Sequence, residues 1–491
     1  AAPTSPDRIF VTSAFSDGAL KDLATAYADR MEAPAALNPG ALPEQAWHQR
    51  GLHPKRLGVL AEDGAQAAEA LRAYAAGQKD PRFVAYEGRQ RDEAPVFVYS
   101  GNGSQYLGMG RLPFRKDADY RAAYEEFDVL FTEMMGWSVI DKMNSETLSQ
   151  EWGDCRVIQG LVIADQIAQT VALAKRGIVP AAVIGHSGGE VAAAWAAGAL
   201  SLEQAAHLAV SRSRTQLQFA GTGTMAALQT SAEQTRALLD EFGDADIELA
   251  AINSPRSVTL AGPTEPLKAF AKWAKRTHRQ ACVMLDINYP FHSAILQSSE
   301  AELKEGLSDI VPSESRVPMF STTTGALVDG TDLTTDYWWS NVRQPVQFSR
   351  AVAAAAREHG TFIEISPHST LGQPIADTLA DLDDPSHHLA VGTLARDSDD
   401  TVTFHTHRNA THTSRPPHTA RHGEPHVPLP TTPWRRTRHW VEVPPLRRAP
   451  VGRGGALPAE SAVPPEWFCE LTWPEKPLPG TAEGAAVDGR W

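Results

Sequence analysis

Apolar runs of four to six residues alternate with amphipathic stretches along most of the chain, and their spacing predicts the elements. Asp17 to Met31 repeats apolar residues at helical intervals, Arg56 to Leu60 reads as a strand, Gly64 to Ala76 as a helix and Arg82 to Ala85 as another strand. Residues 1–93 therefore predict a small α/β unit. Pro95 to Ser100 opens a larger unit as a buried strand followed by a Gly-rich turn, and from about 95 to 395 helices alternate with short apolar strands. That order predicts a parallel sheet with helices on both faces. Thr224 to Leu285 reads differently, as two β–α–β passes: Met225 to Leu228, a helix over Ala232 to Glu241 and a strand over Asp246 to Ala251, then Ser257 to Leu260, a helix over Pro266 to Arg276 and a strand over Cys282 to Asp286. The expectation is a ferredoxin-like insert at 224–286 that divides the main unit into 94–223 and 287–395. Beyond Arg396 the pattern fades. Asp397 to Pro433 is rich in His, Thr and Pro and reads as an extended linker, and Trp467 to Trp473 alternates like a strand.

One segment changes the picture. Gly185-His186-Ser187-Gly188-Gly189-Glu190 directly follows the apolar run Ala181 to Ile184 and precedes the helical stretch Glu190 to Ala197, with Gly198 as its stop. Gly-x-Ser-x-Gly between a strand and a helix is a nucleophile elbow. Its glycines omit the side chains that would collide in the turn, and the serine hydroxyl stands at a helix N-terminus, where backbone N–H groups and the helix dipole stabilise an oxyanion. Acyl transfer through a serine ester is the chemistry this arrangement serves.

Composition narrows the classes. With 42% hydrophobic and 21% charged residues among 491, the chain reads as globular, and its length predicts two or three folded units. A formal charge of −14 argues against a nucleic-acid surface, and any anionic ligand must be met by a local positive site. Cys155, Cys282 and Cys469 offer neither a disulfide framework nor zinc spacing, which favours a reducing, cytoplasmic setting. The sequence carries no recognisable signal peptide or membrane-spanning run, so no membrane association is expected. Starting without Met and stopping at Gly-Arg-Trp, it reads as a piece of something longer.

A serine needs a base, and 17 histidines leave that choice open. His186 adjoins the serine in a tight turn and reads as a structural partner. His292, in Asn288-Tyr289-Pro290-Phe291-His292-Ser293, lies just after the insert returns. Gly101-Asn102-Gly103-Ser104-Gln105 follows a strand and could bring backbone N–H groups to a ligand. Arg212 and Arg214, two apart on a helical stretch, face different sides, so one could point inward to hold a carboxylate while the other stays solvated. Eight histidines between His387 and His426 lack ligand spacing, and no metal is expected.

Together these motifs resemble the acyltransferase domain of a type I polyketide synthase of actinobacterial type, with its flanking linkers, and more distantly malonyl-CoA:acyl carrier protein transacylases. The resemblance runs through Gly101 to Met109, Gln159, Gly185 to Glu190, Gly221 to Met225, Asn253-Ser254-Pro255, Tyr289 to His292, Tyr337 to Val346 and Glu364 to His368. It implies an α/β-hydrolase-like main domain with a parallel sheet, the ferredoxin-like insert and, at 1–93, the linker that follows a ketosynthase. It also implies a post-acyltransferase linker at 396–445 and a tail at 446–491 that resembles the start of a ketoreductase region.

The roles implied are residue by residue. Ser187 matches the nucleophile and His292 the base. Arg212 matches the arginine that grips the extender carboxylate, and Arg214 does not. The Asn341 backbone carbonyl matches the group that orients the histidine. Asn102, where the family usually has Gln, and Gly188 match the oxyanion-hole positions, and Gln159 matches a polar residue lining the site. No cofactor is bound in such domains. The substrates are an acyl-CoA and the phosphopantetheine thiol of an acyl carrier protein, and the adjoining synthase domains are further partners. Tyr289-Pro290-Phe291-His292 mixes the family's malonyl and methylmalonyl patterns. Phe291 fills space that an α-methyl needs and favours malonyl, Tyr289 pulls towards methylmalonyl, and Gly188 leaves room. A methylmalonyl enzyme, a neutral-acyl loading domain, a serine hydrolase and a non-catalytic docking scaffold are the alternatives.

Overall fold

A computed structural model describes residues 9–32, 53–61, 63–87, 94–244, 246–382, 388–396 and 429–431. Most of the expected linker after 396 and all of the tail lie outside the described residues, as do all but His388 of the eight histidines from His387 to His426.

Three sheets organise the described chain. The first is antiparallel, in the order β1 (Ile9–Ala14), β2 (Lys55–Leu60), β3 (Phe83–Glu87). Helices Asp17–Glu32 and Gly64–Ala75 pack on it through Leu20, Leu23, Tyr27, Ala68 and Leu71, and Asp63 caps the second by accepting from the Gln66 N–H. Leu429 packs against this same small core.

The main sheet has the order β11-β10-β5-β4-β12-β13, built from β4 (Val96–Tyr99), β5 (Ala182–Gly185), β10 (Met319–Ser321), β11 (Ala326–Val328), β12 (Thr361–Ile365) and β13 (Leu389–Gly392). All neighbouring pairs are parallel except β10 with β11. The two central strands are buried along their whole length, which is why both read as unbroken apolar runs rather than alternating ones. Tyr99 lies opposite Gly185, so the turns that leave the carboxyl ends of β4 and β5 emerge side by side.

Helix Cys155–Lys175 is buried along most of its length because it runs through the core, and most of its residues are apolar, with Gln159, Asp165, Gln166 and Gln169 among the buried exceptions. By length and composition it could cross a membrane, contrary to the sequence expectation, but 89% of its apolar window is buried inside the protein.

The third sheet, antiparallel and ordered β7-β8-β6-β9, is formed by β6 (Thr224–Leu228), β7 (Glu248–Ser254), β8 (Ser257–Gly262) and β9 (Cys282–Met284), with helices Ala232–Phe242 and Thr264–Thr277 after β6 and β8. This β-α-β-β-α-β order is the ferredoxin-like arrangement. Leu267, Phe270 and Ala274 press the second helix onto Leu228, Val258 and Leu260. The insert is bonded to the main unit where the Ile252 N–H donates to the Val346 carbonyl and the Val346 N–H to that of Ala250, at 2.8 and 2.9 Å.

Candidate active site

The elbow is as tight as its glycines imply. A Cβ on Gly185 would collide with the Glu190 backbone, and one on Gly189 with the Tyr99 carbonyl. Ser187 itself takes φ 53°, a left-handed conformation that costs an L-residue about 1–2 kcal/mol and is held by its surroundings. The turn after β4 abuts it: a Cβ on Gly101 would stand 2.7 Å from the His186 carbonyl oxygen and 3.6 Å from the Ser187 Cβ. Asn102 follows on the exposed side of that turn. The half-buried His186 ring packs against Phe348 and its Nε2 pairs with Asn253 Oδ1 at 2.9 Å, so it fastens the elbow to the insert, as its place in the turn suggested.

His292 arrives from the far side of the insert. The segment leading to it is anchored by Thr224 Oγ1 donating to the Ile287 carbonyl, Tyr289 Oη donating to the Gly153 carbonyl at 2.8 Å, and Ser293 Oγ donating to the Pro290 carbonyl. Like the serine, His292 has a positive φ, 58°. Its Nε2 lies 2.7 Å from Ser187 Oγ, while Nδ1 lies 2.9 Å from the Gln344 carbonyl oxygen. The carbonyl can only accept, so Nδ1 carries the proton and Nε2 is free to accept the serine's. Burial, the Arg212 charge and the neighbouring His186 push the His292 pKa down to about 3, which leaves the imidazole neutral and ready as a base.

This corrects the expectation for Asn341. The residue whose carbonyl meets the histidine is Gln344, which caps helix Thr335–Arg343 with extended backbone (φ −82°, ψ 157°) and so has its carbonyl free of the helix. Asn341 lies inside that helix and works through its side chain: Nδ2 donates to the Ser187 carbonyl at 3.2 Å and to Glu190 Oε2 at 2.9 Å.

Glu190, to which the sequence assigned no role, is wholly buried at the start of helix Glu190–Ala197. It accepts from the N–H and hydroxyl of Thr322 (2.5 and 2.9 Å), from those of Thr323 (both 3.3 Å), from Tyr337 Oη (2.6 Å) and from Asn341. The elbow is thereby tied to the carboxyl end of β10 and to the helix that presents Gln344.

Arg212, on helix Leu202–Leu217, points inward and is 3% exposed. Arg214, as the spacing required, points outward and donates to the Met134 carbonyl. The Arg212 guanidinium lies beneath Gly188, where a Cβ would come within 3.1 Å of Nη1. Its Nη2 is 3.2 Å from Ser187 Oγ, and its Nη1 donates to Gln159 Oε1 (3.0 Å) and Gln216 Oε1 (3.4 Å). Nε is buried without a partner, and among the described residues no carboxylate forms an ion pair with this arginine. Burial lowers its pKa to about 10, still high enough to keep the charge.

Gln159, Arg212, Ser187, His292 and Asn341 are thus brought together. Tyr289 and Phe291 stack in parallel, 5.0 Å between ring centroids, beside Cys155 and Met225 at the seam with the insert. Gln216 was missed because an amide in a polar helical stretch gives no sign of its direction. Among the described residues no group of three or more His, Cys, Asp or Glu side chains could hold a metal ion.

A strand-to-helix serine against a neutral histidine, with a buried cation beside it, is an arrangement that can serve acyl transfer through a serine ester. The family model for the acyl transferase domain matches residues 96–417. A phenolphthiocerol/phthiocerol polyketide synthase polypeptide of Mycobacterium tuberculosis is 36% identical over an alignment of 435 positions that covers 85% of this chain and 28% of that protein. The chain thus spans little more than a quarter of that relative's length. Among solved structures, the acyltransferase domain from module 8 of the salinomycin polyketide synthase superposes with a TM-score of 0.76 at 30% identity, covering 82% of this chain and 95% of that one. The acyltransferase domain of the polyketide synthase PpsC of Mycobacterium tuberculosis gives 0.58 at 35% identity, over 62% and 92%. The chain belongs to the acyltransferase domains of polyketide synthases.

Proposed function

We propose that this domain moves a malonyl-type extender from CoA to an acyl carrier protein through a Ser187 ester. Ser187 Oγ attacks the thioester carbonyl while His292 Nε2 takes its proton. The C–S bond breaks and the CoA thiolate leaves with that proton. The phosphopantetheine thiol of a carrier protein then gives its proton to His292 and attacks the ester, and Ser187 recovers its hydrogen as it leaves. The N–H groups of Asn102 and Gly188 are assigned to the oxyanion, an assignment supported by the contact of the Gly101 turn with the elbow. The neighbouring synthase domains are the expected partners, and the reaction calls on no metal or bound cofactor.

The observation that carries the reading is Arg212: a buried guanidinium, 3.2 Å from the Ser187 hydroxyl, that forms no ion pair with a carboxylate among the described residues. A free carboxylate on the substrate supplies the missing countercharge, which a neutral acyl group or a hydrolase's substrate does not. Malonyl is favoured over methylmalonyl because Phe291 is held rigidly against Tyr289, whose hydroxyl is itself bonded to Gly153. One methyl is worth only about 1–3 kcal/mol in such a pocket.

The test is intact-protein mass spectrometry after mixing with malonyl-CoA and methylmalonyl-CoA in competition, with Ser187→Ala as control. A malonyl adduct absent from the variant is expected. A methylmalonyl adduct would keep the enzyme and overturn the extender, and no adduct from either would reject the function.

A further inference from the structure

The arginine's donors are not equally occupied, and the pattern is specific. In a guanidinium, Nε–H and one Nη2–H lie parallel on one edge, and that edge fits the two oxygens of a carboxylate. In Arg212 this edge holds the partnerless Nε and the Nη2 that faces Ser187 Oγ. Nη1, on the other side, is taken by Gln159 and Gln216, and these two amides are joined to each other, Gln159 Nε2 donating to Gln216 Oε1 at 2.7 Å. Gln216 stands one helical turn beyond Arg212 on the same helix and is 1% exposed. Its amide oxygen is therefore the acceptor on which both the arginine and Gln159 converge.

Resting on the reading above, we infer that Gln216 determines specificity for a carboxylated acyl group: it occupies the rear of the Arg212 fork with a neutral acceptor, fixing the guanidinium while leaving its charge unmet. An acceptor that is polar but uncharged satisfies the hydrogen-bonding need of Nη1 without forming an ion pair. The full attraction is then reserved for a substrate carboxylate on the Nε–Nη2 edge. Residue 216 selects between acid and neutral acyl groups because a carboxylate in the same place would neutralise the arginine from behind.

Gln216→Glu tests this, since it changes charge with almost no change of volume. Separate acylation rates are measured by intact-protein mass spectrometry with malonyl-CoA and with acetyl-CoA, on the whole chain. For the native protein the malonyl rate exceeds the acetyl rate. In the variant the malonyl-to-acetyl ratio falls by roughly 100-fold, the scale of a lost charge-assisted hydrogen bond, with the acetyl rate rising as the malonyl rate falls. Gln216→Leu, which removes the acceptor and adds no charge, raises the KM for malonyl-CoA by about 10-fold and leaves the preference for malonyl in place. A merely structural role predicts that Gln216→Glu lowers both rates together. That outcome, or an unchanged ratio, overturns the inference, and so does a collapse of malonyl preference in Gln216→Leu if the Glu variant does not fold. If the native protein takes no malonyl group, the proposed function fails instead.

Discussion

Two buried charges stand on either side of Ser187, and they are treated in opposite ways. The Glu190 carboxylate is surrounded by donors from Thr322, Thr323, Tyr337 and Asn341, so its lone pairs are filled within the fold. The Arg212 guanidinium donates to two amide oxygens and meets the Ser187 hydroxyl, and among the described residues it keeps one donor, Nε, with no partner and forms no ion pair. Burying a charge is costly unless hydrogen bonds or an opposite charge compensate it. Where the compensation is complete, the group is part of the scaffold. Where it is withheld, the protein carries a standing cost that a ligand can relieve. Glu190 ties the elbow to the fold, and Arg212 keeps a donor edge open beside it.

The comparison breaks if the two residues respond alike to neutralisation. Arg212→Met keeps the length and removes the charge. It is expected to lower malonyl acylation by roughly 10²–10³-fold while leaving unfolding free energy unchanged or raised, because removing an unpaired buried charge removes a cost of folding. Glu190→Gln is expected to do the reverse in kind, lowering stability by about 2–3 kcal/mol in urea unfolding, since an amide cannot accept from all the donors now aimed at the carboxylate. A destabilised Arg212→Met or an unaffected Glu190→Gln would remove the distinction.

A pH series sharpens it. The folded His292 pKa lies below its unfolded value, so between about pH 6.5 and 3 the unfolded chain binds more protons and stability falls as pH falls, by at most about 1.4 kcal/mol per unit from this one group. His186, depressed by burial, adds in the same direction. Urea midpoints of the native protein and His292→Gln at pH 7.5, 6 and 5 should show the shallower slope in the variant. For acylation, the native enzyme is expected to show no acid limb near pH 6.5. Arg212→Met, lacking a cation that helps depress the histidine, should bring the acid limb up from the lower pH at which the native protein has it. The smallest effect belongs to Asn341→Ala, about 10-fold in acylation rate with the pH profile unmoved, because the histidine is held by the Gln344 carbonyl and not through Asn341. A shifted profile would show that the two helix residues act as one.

Local constraint explains what was legible. The elbow could be read from six consecutive residues, because a strand, a helix and the glycines between them leave one workable turn. The insert could be read from spacing, since its apolar residues repeat at strand and helix periods in sequence order. Helix Cys155–Lys175 shows the limit: its apolar surface would suit a lipid or a core, and only the helices and sheet packed around it decide. Gln344 and Asn341 show another. Three positions apart in one motif, they divide the work otherwise than expected: the carbonyl role falls to Gln344 because the helix ends between them and frees its carbonyl.

By itself, then, the sequence determined the elbow that carries Ser187, the order of the strands and helices and the opposed directions of Arg212 and Arg214, each a consequence of short-range geometry. The tertiary structure alone decided that the histidine 105 positions away faces Ser187, that Glu190 is saturated, and that Gln159 and Gln216 share the rear of the arginine. Hydrogen bonds between distant side chains depend on where whole elements are carried by their packing, and no local pattern records that.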